Sequence, residues 1–317
     1  MTEHRVQPKL IIHGGAGSSL KGGISAVRKS LYAVIEEVYA MLLAGVTARD
    51  AVVRGCQRLE DDPCFNAGTG SVLQSDGQIR MSASLMDGTT QRFSGVINVS
   101  RVRHPIELAL TLQSCNDRVL SDYGSAELVR ELQLPIYDPL TEIRLQEWML
   151  ERAGNFTKDM AGVVAERELV EDRAGRGTIG VVALDGEGRI AVGTSTGGKG
   201  FERIGRVSDS AMPAGNYAMS QAAVSCTGIG EDIIDECLAP RIVIRVADGL
   251  PLQAAFERSF EEAYKNGRDL GAIGLDRTGA IAWGKTSEVL LAAYHTGEKV
   301  GDTLEWQGQH RVAGVSS

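Results

Sequence analysis

Two stretches of this 317-residue chain read as one hairpin written twice. Ile179–Gly193 is IGVVALDGEGRIAVG and Leu270–Gly284 is LGAIGLDRTGAIAWG; in register, the early glycine, the Leu-Asp pair, the turn glycine, Ile-Ala and the final glycine all coincide. Turn residues between runs rich in β-branched side chains predict antiparallel strands. A looser third copy runs from Ser71 to Ser82 around Asp76-Gly77. These strands are almost wholly apolar where a half-exposed strand would alternate, so both of their faces must be covered. Two sheets packed on each other, with helices outside, satisfy that demand best. The expected class is therefore α+β, with a four-layer αββα sandwich in a single domain spanning 1–317.

Helical periodicity supplies the outer layers. Ile24, Val27, Leu31, Val34, Val38 and Met41 recur at spacings of three and four and form one apolar face. Gly45 ends that helix, and Thr47 with Asp50 marks a capped start to the next. Further helices are expected at Ile106–Gln113, Ser125–Leu132, Leu140–Ala153, Glu231–Ala247 and Leu252–Lys265, and a short strand at Leu10–Ile12. The segment Asn155–Arg176 is polar, charged and weakly periodic, and reads as a mobile linker.

Composition narrows the partners. The net charge is −8 without a dense basic run, which argues against nucleic acid or an anionic membrane. The 38 glycines sit in tight loops between apolar runs, as close backbone approaches require. Five scattered cysteines without a CxxC pair point to free thiols in a reducing cytoplasm, and the N-terminal apolar run is too short for a signal peptide or a membrane span.

The chemistry gathers around Thr178 in Arg176-Gly177-Thr178-Ile179-Gly180. Cleavage of the Gly177–Thr178 bond would turn this ordinary threonine into an N-terminal residue with its own amine as base. Downstream lie GTSTGG (193–198), GRVSDS (205–210) and SCTGIGE (225–231); upstream lie HGGAG (13–17) and DPCFNAGTG (62–70). Small hydroxyl residues beside glycines, with one arginine and one aspartate, can position a small zwitterion but offer no ligands for a catalytic metal. A rival exists: Gly193-Thr194-Ser195-Thr196-Gly197 matches the GxSxG nucleophile elbow, and HGGAG resembles the oxyanion loop of esterases. That elbow needs a helix after the turn, whereas a glycine-broken loop follows here.

Together these five motifs resemble the plant-type (type III) asparaginases and isoaspartyl aminopeptidases, which are N-terminal-nucleophile hydrolases. The resemblance spans about Leu10 to Gly284. It implies an αββα precursor that cuts itself before Thr178, leaving an α chain of 177 residues and a β chain of 140 (317 − 177). It implies Thr178 as nucleophile, Thr196 as the hydroxyl that tunes it, Thr227 and Gly228 as oxyanion hole, and Asn66 as the residue that steadies groups near the nucleophile. Arg206 and Asp209 would grip the α-carboxylate and α-amine of an asparaginyl or β-aspartyl group, and Gly230 would add a backbone contact. The main chain of Leu59, Glu60, Asp62, Phe65, Ala67 and Thr69 matches a loop that binds a structural sodium ion, and no cofactor is implied for catalysis. The implied assembly is an (αβ)₂ dimer of heterodimers acting on a small molecule or dipeptide.

Three positions depart from the family pattern. Arg176 stands where many relatives have histidine, and Ser208 and Ala211 replace the glycine and proline of GRVGDSP. Glycosylasparaginases, which usually carry aspartate before the threonine and a secretory signal, are the runner-up. A precursor-like protein that binds ligand uncleaved is the non-enzyme alternative.

Overall fold

The computed structural model describes residues 6–17, 23–156, 177–306 and 311–316. The linker segment, from residue 157 onward and including Arg176, lies outside the described residues. The elements run β1 (Lys9–Gly17), α1 (Ile24–Leu43), α2 (Ala48–Glu60), β2 (Met81–Asp87), β3 (Arg92–Val99), α3 (Pro105–Leu112) and β4 (Val119–Ser121). Then come α4 (Asp122–Glu131), α5 (Glu142–Ala153), β5 (Ile179–Leu184), β6 (Ile190–Thr196), a 3₁₀ turn at Asp209–Ala211, β7 (Asn216–Ala218) and β8 (Ala222–Gly228). The chain closes with α6 (Gly230–Glu236), α7 (Leu238–Ala247), α8 (Leu252–Lys265), β9 (Leu270–Asp276), β10 (Ile281–Lys285), β11 (Val289–His295), β12 (Val300–Asp302) and β13 (Val312–Val315). No helix among the described residues is long and apolar enough to cross a membrane.

The strands form two sheets. The larger has the order β12-β11-β1-β5-β6-β2-β3-β4 and the smaller β13-β10-β9-β8-β7. All described pairings are antiparallel except β3 with β4. Period-two alternation divides each apolar strand between two cores. In β5, Ile179, Val181 and Ala183 join the cluster built with α1, α2 and α3, while Val182 and Leu184 join the one shared with the smaller sheet. In β9, Leu270 and Ala272 pack toward α7 and α8, and Ile273 and Leu275 pack toward the larger sheet. This explains why the strands looked uniformly apolar: neither face meets water.

The repeated hairpins do the same work in both sheets. Asp185 Oδ1 accepts the N–H groups of Glu187 and Arg189 at 2.9 and 3.0 Å, and Asp276 Oδ1 accepts those of Thr278 and Ala280 at 2.8 and 3.1 Å. Each aspartate thus closes its own turn. The early glycines, Gly180 and Gly271, face the opposing sheet, where a Cβ would lie 2.0 Å from Ser225 Oγ and 3.1 Å from Leu290 Cδ1, respectively. The final glycines, Gly193 and Gly284, lie beneath helices, against Val52 of α2 and Phe260 of α8.

Two expectations need correction. Ser71 to Ser82 is not a third hairpin: only its end enters a strand, at Met81. Its backbone is claimed from elsewhere, since Leu73 O accepts from Phe201 N, Ser75 N donates to Glu202 O, and Trp148 Nε1 donates to Gln74 O at 2.9 Å. The helix expected over Glu231–Ala247 is two helices, broken at Cys237, whose φ of 47° lies in the left-handed region. The chain changes direction there, and Pro240 is tolerated in the first turn of α7, where no intrahelical N–H bond is lost. The Thr47 cap is present, its hydroxyl accepting from Asp50 N at 3.1 Å.

Candidate active site

Antiparallel pairing of β5 with β6 sets Ile179 opposite Ser195. The register therefore brings Thr178, one residue before β5, beside Thr196 at the end of β6. Their hydroxyl oxygens are 3.0 Å apart. Thr196 Oγ1 also accepts from Gly198 N at 3.1 Å, which turns the following loop back over the strand end. A narrow cleft opens here, lined by Asn66, Thr178, Thr196, Gly198, Lys199, Arg206, Ser208, Asp209, Gly228 and Gly230. Seven of the expected site residues thus meet in one cleft. Thr227 is buried in β8 one residue before Gly228 and does not line it.

Asn66 is the organiser. Its main-chain N–H donates to the Gly177 carbonyl at 2.9 Å, and its carbonyl accepts from Gly197 N at 2.8 Å. Its side chain donates to Gly198 O at 2.7 Å and accepts from Val72 N at 3.0 Å. The carbonyl of the bond ahead of Thr178 is thereby fixed by a backbone donor. Gly177 has no room for a side chain, since a Cβ would lie 2.6 Å from Asn66 N.

Arg206 and Asp209 are not the exposed i,i+3 ion pair their spacing could have produced. The Arg206 fork is held by Glu231, with Nε and Nη2 donating at 2.7 and 3.1 Å. Asp209 is 4% exposed, accepts from Ser208 Oγ at 3.3 Å, and leaves Oδ2 without a partner. Burial pushes its carboxyl up to about 6, against the opposing pull of the Arg206 charge. A Cβ on Gly230 would lie 2.6 Å from Arg206 Nη2 and 2.8 Å from Asp209 Oδ1, so only glycine leaves both groups accessible.

Ser195, the rival nucleophile, points away from the cleft. It lies within β6, fully buried, and donates to Glu60 Oε1 at 2.6 Å. HGGAG is part of β1 itself: Gly14 packs under the Phe65 ring, and a register shift follows His13. Neither 193–197 nor 13–17 forms the elbow or the oxyanion loop of an esterase.

The loop after α2 folds tightly back on itself. Glu60 O accepts from Thr69 N at 2.7 Å, and a Cβ on Gly70 would lie 2.7 Å from Pro63 O and 3.0 Å from Phe65 O. Among the described residues, no group of three or more His, Cys, Asp or Glu could hold a metal ion.

The asparaginase family model matches residues 6–305. The chain belongs to the asparaginase family. An "Isoaspartyl peptidase/L-asparaginase" of Nostoc sp. is 73% identical over 315 residues, covering 98% of this chain and 99% of the relative. One of the same name from Synechocystis sp. is 65% identical over 299 residues (94% and 91% covered), and one from Homo sapiens 33% over 296 (91% and 94%). Glu231, Lys199 and the buried face of His13 are what the sequence reading missed. Glu231 and His13 lay within quoted motifs and Lys199 directly after one, and an ionisable side chain beside the site glycines was the available signal.

Proposed function

We propose that this asparaginase-family chain cuts itself before Thr178 and then hydrolyses β-aspartyl dipeptides and L-asparagine through an ester on that threonine. The observation that carries the reading is the Thr178–Thr196 hydroxyl pair in a cleft that ends in Arg206 and the half-satisfied Asp209 carboxyl. The printed names of its relatives support the same substrates. In processing, Thr178 Oγ attacks the Gly177 carbonyl carbon while Asn66 N–H steadies the oxygen that gains charge. The Oγ proton passes to the Thr178 nitrogen as the C–N bond breaks and the Gly177 acyl group moves to Oγ; water then hydrolyses the ester, leaving a Gly177 carboxylate and a free Thr178 hydroxyl and amine.

The exposed α-amine titrates near pH 7.7–8.0 in ordinary termini, close to the working range of a general base. It takes the proton of Oγ as that oxygen attacks the side-chain carbonyl of the substrate. Thr227 and Gly228 serve as the oxyanion hole, and Asp209 and Arg206 hold the substrate α-amine and α-carboxylate. Collapse expels ammonia or an amino acid, and water releases aspartate. The wider reading comprises a four-layer αββα domain, a sodium ion in the Leu59–Thr69 loop, an (αβ)₂ assembly and a cytoplasmic location.

A denaturing gel of the purified protein tests the cut, which should give pieces of 177 and 140 residues. Thr178→Ala should give one uncut band and no turnover; retained activity would sink the proposed nucleophile. Assays with β-aspartyl-leucine, asparagine and glycosylated asparagine set the class, and preference for the last would replace this reading with a glycosylasparaginase.

A further inference from the structure

Behind Thr178 lies a buried polar chain that the proposed reaction does not use. His13 Nδ1 is 3.0 Å from the Thr178 carbonyl oxygen, His13 Nε2 is 2.8 Å from Ser225 Oγ, and Ser225 Oγ is 2.7 Å from Thr194 Oγ1. His13, Thr194 and Ser225 are fully buried, on β1, β6 and β8. Gly180 pairs opposite His13, and a Cβ there would lie 2.0 Å from Ser225 Oγ and 2.3 Å from His13 Nε2. The glycine is thus the space in which the imidazole and the hydroxyl meet.

The direction of every bond follows from the chemistry of its ends. A carbonyl oxygen only accepts, so Nδ1 carries the hydrogen. Burial lowers the His13 pKa to about 3, so the ring is neutral at working pH and Nε2 is a bare acceptor. Ser225 therefore donates to Nε2, and Thr194 donates to Ser225.

We propose that Thr194, Ser225 and His13 are positioning residues that lock the Thr178 main chain, and with it the aim of its amine and hydroxyl. This rests on the reading of Thr178 as nucleophile. The Thr178 carbonyl stays in the chain after the Gly177–Thr178 bond is cut, so the lock outlasts the cut, whereas the Asn66–Gly177 contact holds only the bond that breaks. The smaller sheet supplies Ser225, so correct docking of the two sheets is felt at the nucleophile.

The test uses the purified enzyme, followed from the uncut chain through processing to turnover, and two isosteres. His13→Asn places its amide nitrogen where Nδ1 was and keeps the bond to Thr178. His13→Gln reaches the Nε2 position and keeps only the Ser225 end. Misplacing a reacting group by about 1 Å can cost about 100-fold, so His13→Gln and His13→Leu should lose kcat on that order with KM little changed. His13→Asn should recover most of it and process faster than His13→Gln. If the Asn variant is as impaired as the Gln variant, or if both keep full kcat, the lock is refuted. Should His13→Leu fail to fold, nitrogen NMR of the His13 imidazole decides independently of turnover: a neutral ring protonated on Nδ1 at pH 7 supports the lock, and an Nε2–H or charged ring overturns it. Thr178→Ala with full turnover would instead overturn the nucleophile reading, leaving the NMR result standing.

Discussion

At the residue scale, Asp209 binds charge under strain. Its ionised form has given up water for one hydroxyl and the nearby Arg206, and its proton is held up to about 6. The sign follows directly. Below that value the carboxyl is neutral and cannot hold an ammonium, so affinity for an α-amino ligand should fall as pH drops through 6. Competitive inhibition by L-aspartate should weaken about tenfold in all between pH 7 and pH 5, because one proton displaces one ligand. A flat inhibition constant from pH 5 to 7 would contradict it. Because the folded form binds this proton more tightly than the unfolded chain, Asp209 also makes the fold less stable as pH rises from about 4 to 6. The residue types at the site were legible because an amine, a carboxylate and an acyl carbon each demand particular partners. Arg206 engaging Glu231 was not, since residues 25 positions apart meet only through the fold.

At the element scale, the twin hairpins show how much a local pattern carries. The turn aspartates and glycines mark each hairpin within fifteen residues, and each aspartate closes its turn with local backbone bonds. The Ser71–Ser82 stretch shares a similar turn but fails as a hairpin, because Phe201, Glu202 and Trp148 take its backbone groups first. The break at Cys237 carries no helix-stopping glycine, but Pro240 three residues on could not have continued a helix from Glu231, and it sits instead in the first turn of α7. Gly180 tests the close approach of the sheets. Gly180→Ala inserts a methyl where Ser225 Oγ and His13 Nε2 already lie within 2.3 Å, and overpacking of this kind costs about 1–3 kcal/mol. Thermal unfolding should show a lower midpoint, and a gel should show slower processing; an unchanged midpoint would mean that the two sheets can move apart freely.

At the scale of the molecule, the strand order interleaves the two sides of Thr178. In the larger sheet β1 lies between β11 and β5, and β6 pairs with β2, so strands from the two sides of Thr178 meet at three seams. The pieces 1–177 and 178–317 should therefore co-elute after cleavage and unfold in one transition. Expressed separately, neither should fold, because each would expose unpaired strand edges. Separation of the pieces by size exclusion without denaturant would refute this. The sequence alone determined the twin hairpins with their turns, the apolar faces of the main helices and the chemical kinds of residue at the site, all of which depend on neighbours a few positions away. The tertiary structure decided that Asn66 holds the Gly177 carbonyl, that Asp209 loses its water, and that His13 reaches Thr178 across 165 residues. Those facts depend on burial and on register between distant strands, and short-range pattern in a chain contains neither.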